Sequence, residues 1–151
     1  MMTKINALIM AIYLFFAGFI YGDEPIKVEF DCEISPCEFA SPEEFALGVT
    51  VSGKNVGRPF EGKKPFEPSV AVYREENGER IFLRTLTEVD CVVPNPILVK
   101  KGDTFEKTKV YSYYPDFADE YKPGVYSVAV WVYGCKKVYK DIITIGSGEE
   151  V

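Results

Sequence analysis

The chain is expected to be all-β, an antiparallel β-sandwich of about seven strands behind an N-terminal export leader. Three observations predict this. The stretch Val125-Tyr126-Ser127-Val128-Ala129-Val130-Trp131-Val132-Tyr133 is β-branched and aromatic almost throughout. It lies between the turns Lys122-Pro123-Gly124 and Gly134-Cys135-Lys136-Lys137, and residues 138–145 return from it as a hairpin. Asn77-Gly78 is the strongest two-residue hairpin signal in the chain, and no helical period of useful length appears after the leader.

Residues 1–22 read as a secretory signal peptide. Lys4 precedes an apolar run from Ala7 to Ile20, and Gly22 suits cleavage before Asp23. The run is short for a membrane span, which needs about 20 residues, so contact with a membrane is expected only if the leader is retained. The chain is therefore expected outside the cytoplasm. Residues 23–146 make one domain, and 147–151 form a short acidic tail.

Ile26 to Phe30 alternates and is the first strand; Pro36 then rules out an interior strand. Ser41-Pro42-Glu43-Glu44 begins like a helix cap, but no apolar stripe follows, so a loop or one turn is expected. Phe45, Leu47, Val49 and Val51 alternate with small residues in the second strand. Residues 53–68, rich in Pro and Gly, read as a long loop. Strands follow over 69–75 and 80–86. Residues 87–103 are irregular, with a Pro-broken edge segment at 92–99, and a further strand covers 104–114. On the last long strand, Tyr126, Val128, Val130 and Val132 share the face that must be buried.

Composition excludes several functions. The chain has 151 residues and no histidine, which removes the usual general base, Ser/His and Cys/His nucleophile pairs, and His-bound zinc. Its net charge is −6, and removing the leader takes away Lys4 but no acidic group. Phosphate binding needs clustered positive charge, so nucleic acid is not expected as a partner. The carboxylates of Asp116, Asp119 and Glu120 lack the spacing of a calcium loop. No cofactor or metal is expected, and no catalytic activity.

The segment Tyr121-Lys122-Pro123-Gly124-Val125-Tyr126-Ser127-Val128 resembles the penultimate strand of immunoglobulin-like sandwiches, where a Pro-Gly turn precedes Tyr and alternating apolar residues. The turn Lys101-Gly102-Asp103 before a strand fits the same class. Within it, Gly78, the Gly102 turn and Pro123-Gly124-Val125-Tyr126 resemble BsuPI-type proteinase-inhibitor domains. That resemblance implies inhibition through an exposed loop such as 55–67 or 92–101. The four cysteines are not part of the pattern.

Antiparallel strands place successive loops at alternate ends. Loops 33–44, 76–79 and 115–124 share one end; loops 53–68, 87–103 and 134–137 share the other. Sulfurs bond only when their Cα atoms come within about 7 Å, so the expected disulfides are Cys32–Cys37 and Cys91–Cys135. The second end also collects Arg58, Lys63, Lys64, Lys136 and Lys137 around Phe60 and Phe66. Aromatic anchors ringed by Lys and Arg are the make-up of a protein-binding surface, and a protein partner met through these loops is the leading functional expectation. The competing reading tucks Phe60 and Phe66 under their own loop as a small core. Trp131 and Tyr133 fall opposite the valines, where they would form a flat platform for glycan or protein; the alternative is that they pack across strands or face the core.

Overall fold

The computed structural model describes residues 24–64, 66–83 and 95–149. The leader, Cys91, residues 84–94 and the last two residues lie outside that description.

The protein is all-β. Among the described residues there are ten strands: β1 Val28–Ser35, β2 Glu38–Phe39, β3 Ala46–Asn55, β4 Phe60–Lys64, β5 Ser69–Glu76, β6 Glu79–Leu83, β7 Asn95–Val99, β8 Thr104–Ser112, β9 Gly124–Val132 and β10 Cys135–Ile145. They form a three-stranded sheet ordered β1-β3-β8, a five-stranded sheet ordered β2-β10-β9-β5-β6, and a two-stranded ribbon, β4-β7.

The alternation in the sequence becomes the core. Phe45, Leu47, Val49 and Val51 from the β3 side are buried, as are Tyr126, Val128, Val130 and Val132 of β9. All eight belong to one hydrophobic cluster, so the larger sheets share a single interior. The Asn77-Gly78 hairpin has positive φ at both residues, 53° and 79°, as a type I′ turn requires.

The differences from the expected strands have local causes. The first strand continues to Ser35, antiparallel to β3; after Pro36 the chain changes sheets, and β2 runs parallel to β10. A proline lacks the N–H a ladder needs, and here it falls where one pairing ends and the other begins. The loop expected over 53–68 contains β4, which pairs outside both larger sheets with β7, in register from Phe60↔Val99 to Lys64↔Asn95.

Two ends result. At the lower end the Asn55 N–H donates to the Asp103 carbonyl (2.9 Å) and the Gly57 N–H to the Lys27 carbonyl (3.0 Å). At the upper end the Tyr113 N–H donates to the Phe45 carbonyl (2.8 Å).

Candidate functional site

The lower end is tied together by one side chain. Asn55 is fully buried. Its Nδ2 donates to the carbonyls of Arg58 (3.0 Å) and Val99 (3.4 Å), and its Oδ1 accepts from the Gly57 N–H (3.0 Å). Its backbone carbonyl accepts from the Gly102 N–H (2.7 Å). A buried amide must satisfy each of these groups, so Asn55 fixes the start of the ribbon against the turn before β8. The sequence signal was Asn two residues before Gly, a pattern that favours side-chain-to-backbone turns.

The ribbon rests on an aromatic cluster centred on Tyr133. That residue has φ 47° and Gly134 has φ 83°, so Tyr133 sits in a type I′ turn rather than continuing β9. The left-handed conformation costs a non-glycine residue roughly 1–2 kcal/mol. Ring packing offsets it: the Tyr133 ring lies 4.9 Å from Phe60, 5.3 Å from Phe66 and 5.8 Å from Phe105, between ring centres. Gly62 lets this ring approach, because a Cβ there would lie 3.0 Å from it and 2.9 Å from Val99 Cγ2.

Between the ribbon and β8 opens a cleft of ≈ 550 Å³. Phe66, Phe105, Tyr133, Ile97 and Val99 make its apolar lining; Lys63 on the ribbon and Lys107 on β8 add charge, with Asp103, Thr104 and Glu106 completing the lining. Lys107 and Lys109 both hold Glu67, at 3.2 and 2.9 Å. Burial pushes the Glu67 carboxyl up, but hydrogen bonds from Lys109 and Lys107 outweigh it and leave the group below its ordinary value. On the same strand Tyr111 is buried, and its hydroxyl has no hydrogen-bond partner among the described residues. Burial, then the nearby Glu67 charge, holds that phenol well above its usual range.

The structure sorts the sequence-chosen residues into three groups. Lys63 and Phe66 line the cleft. Phe60 does not face solvent: it is buried under the ribbon at 6% exposure, because the strand it opens turns it onto Tyr133. Arg58 is exposed and donates to the carbonyls of Glu24 and Pro59, holding the incoming chain. The Lys64 side chain lies outside the described residues.

The hairpin residues separate. Trp131 is half-buried on the face opposite the core, with the Lys136 ammonium 5.1 Å from its ring centre. Tyr133 does not join it, because the left-handed turn breaks the strand alternation and sends its ring to the cleft. Lys137 reaches β1, donating to Asp31 (3.0 Å) and the Phe30 carbonyl (3.2 Å).

The thiols of Cys32, Cys37 and Cys135 are free. The bond expected between Cys32 and Cys37 is not formed. β1 stays extended from Cys32 through Ser35, a span of about 10 Å at ~3.3 Å per residue, which carries the two cysteines apart. The Cys37 thiol instead donates to the Ile34 carbonyl (3.3 Å), and the Cys135 thiol to that of Ile26 (3.7 Å). The bond expected for Cys91 lies outside the described residues. Among those residues no three Cys, Asp or Glu side chains are placed to hold a metal.

No family model and no curated protein matches the chain. Among solved structures it is similar to a β-glucosidase from Listeria innocua in complex with gluconolactone, at 15% identity and TM-score 0.44, covering 80% of this chain and 16% of that one. A β-glucosidase from Erythrobacter marinus gives 13% identity and TM-score 0.45 over 80% of this chain and 15% of that one. One from Kluyveromyces marxianus gives 14% and 0.38 over 77% and 14%. The chain thus spans about a sixth of the length of these enzymes, and at such values the likeness bears on neither their activity nor their substrates.

Proposed function

We propose that the chain is an exported, non-catalytic binding module on an immunoglobulin-like sandwich, and that its lower end meets a protein partner. The strand order supports the scaffold. If β1 and β2 are one strand that changes sheets and the ribbon is an insertion, the remaining strands number about seven, as that class expects. The buried Tyr126 ring supports it too: its hydroxyl donates to the carbonyl of Lys122, four residues upstream, as in the tyrosine corner of such domains. Export rests on the Lys4 and Ala7–Ile20 leader pattern.

The observation that carries the binding reading is the ribbon over its cleft. Ile97, 36% exposed, lines the aromatic cavity that Lys63 and Lys107 edge, and Leu98, 61% exposed, presents a further apolar group on the outer face of the same strand. Exposed apolar groups on a rigid support, beside a cavity of this size, mark binding surfaces. The test uses the wild-type chain and Leu98→Asp, shown to melt at the same temperature, as bait in extracellular material. A protein retained by the wild type and released by the substitution is expected; equal retention by both overturns this placement of the surface.

Proteinase inhibition is the second reading, favoured by the extended, exposed Pro96-Ile97-Leu98 of β7. Proteases grip extended segments by their backbone and alternate side chains. Under this reading a protease panel shows inhibition that Leu98→Asp relieves.

A further inference from the structure

The two ends of the molecule carry opposite charge, and each presents aromatic rings. At the upper end Tyr114 is 40% exposed and stacks on Phe117, with ring centres 5.6 Å apart. Asp116 and Asp119 are exposed beside it on the 3₁₀ segment Pro115–Glu120. Glu43, Glu44 and Glu79 add exposed carboxylates from neighbouring turns, while Arg74 and Arg80 are engaged with Glu76 (3.3 Å) and Glu75 (3.8 Å). Lys122 is an exposed cation at this end.

At the lower end the exposed cations are Lys27, Lys54, Arg58, Lys63, Lys100 and Lys101, set against Glu24, Glu61, Asp103 and Glu106. Asp103 is partly occupied, its Oδ2 accepting from the Lys100 N–H (2.8 Å). The Glu67 carboxylate serves two lysines, Lys107 and Lys109, and Glu106 lies beside Lys107 in the cleft lining, so the positive excess of this end comes from the lysines and arginine of the surrounding turns.

We propose that the lower cleft receives the upper turn of a second copy of this chain. This rests on the reading of the lower end as a protein-binding surface and names its partner. The Tyr114 ring enters among Phe66, Phe105 and Tyr133, while Asp116 and Asp119 approach Lys63 and the surrounding lysines. A cleft of ≈ 550 Å³ lies within the ~300–1,000 Å³ that encloses small apolar groups. Opposite charge on the two surfaces speeds encounter and fixes which way round the copies meet. Because the contact joins unlike surfaces, each added copy presents another free end, and the assembly grows head to tail.

Sedimentation of the exported chain tests this. In low salt the mean mass is expected to rise with concentration, and to fall toward the monomer near 0.5 M salt, where the Debye length is only about 4–5 Å. Tyr114→Ser/Asp116→Lys removes the turn; Lys63→Glu/Ile97→Ser disables the cleft. Each variant alone should be monomeric, with association at least tenfold weaker. An equimolar mixture should give a one-to-one dimer and nothing larger, because one cleft and one turn remain. A wild type that stays monomeric, association that ignores either variant, or a mixture that does not pair overturns the proposal. If the wild type is monomeric while capture still depends on Leu98, the protein-binding reading stands and only the second copy falls.

Discussion

The Tyr126 hydroxyl donates to the Lys122 carbonyl at 2.7 Å from a ring with no solvent exposure. The bond spans the turn that starts β9, so it fixes the angle at which the central strand of the larger sheet enters the core. Arg74 lies over the same ring, 5.6 Å from its centre, and donates to the Pro123 carbonyl (3.2 Å). Tyr126→Phe keeps the ring and removes the bond. A lost hydrogen bond that leaves a carbonyl unsatisfied costs about 1–3 kcal/mol, so the urea midpoint should fall with an unchanged slope.

Asn55 is the second point where one side chain holds separate segments. Asn55→Ala removes the side-chain donor to the carbonyls of Arg58 and Val99 and leaves the Gly57 N–H only its bond to the Lys27 carbonyl. A loss of about 2–4 kcal/mol is expected. Hydrogen exchange should localise it: the amides of Gly57 and Gly102 should open before those of β9. Uniform opening across both segments would mean that Asn55 acts on the whole fold rather than on the lower end.

Much of the fold was legible because its core side chains recur at period two. Phe45 through Val51 and Tyr126 through Val132 alternate in the sequence, and the structure buries the large apolar members, although on β9 Ser127 and Ala129 of the other face are buried too. Asn77-Gly78 was legible because only certain residues accept positive φ at both positions. The ribbon was not, since β4 is short, holds a glycine and pairs with a segment containing Pro96; its register depends on contacts far along the chain. Tyr133 misled for the opposite reason. It continues a β-rich run in sequence, yet tertiary packing with Phe60, Phe66 and Phe105 holds it in a turn conformation its type disfavours. Of the candidate site, the aromatic and lysine content of the lower loops was readable, but not that Phe60 supports the site from below while Phe105 and Val99 line it.

Gly62→Ala separates the ribbon from the rest of the fold. The added methyl would meet Val99 Cγ2 at 2.9 Å and the Tyr133 ring at 3.0 Å, so the ribbon or the ring must move. Overpacking of this kind costs about 1–3 kcal/mol. The expected outcome is a lower melting temperature together with changed Tyr133 and Phe105 ring resonances, while the resonances of Val49 and Val128 in the central core stay in place.

Alkaline titration reads the buried and half-buried phenols together. Burial is the leading cause that raises Tyr111, Tyr121, Tyr126, Tyr133 and Tyr139 above their ordinary value. The folded state therefore binds these protons more tightly than the unfolded one. Their stabilising effect is complete below the unfolded value near 10 and is lost as pH rises toward the folded values. Phenolate absorbance from these five rings should rise in a steep step that coincides with loss of β-sheet circular dichroism. A single smooth rise finished before the sheet signal changes would mean that these hydroxyls are open to water.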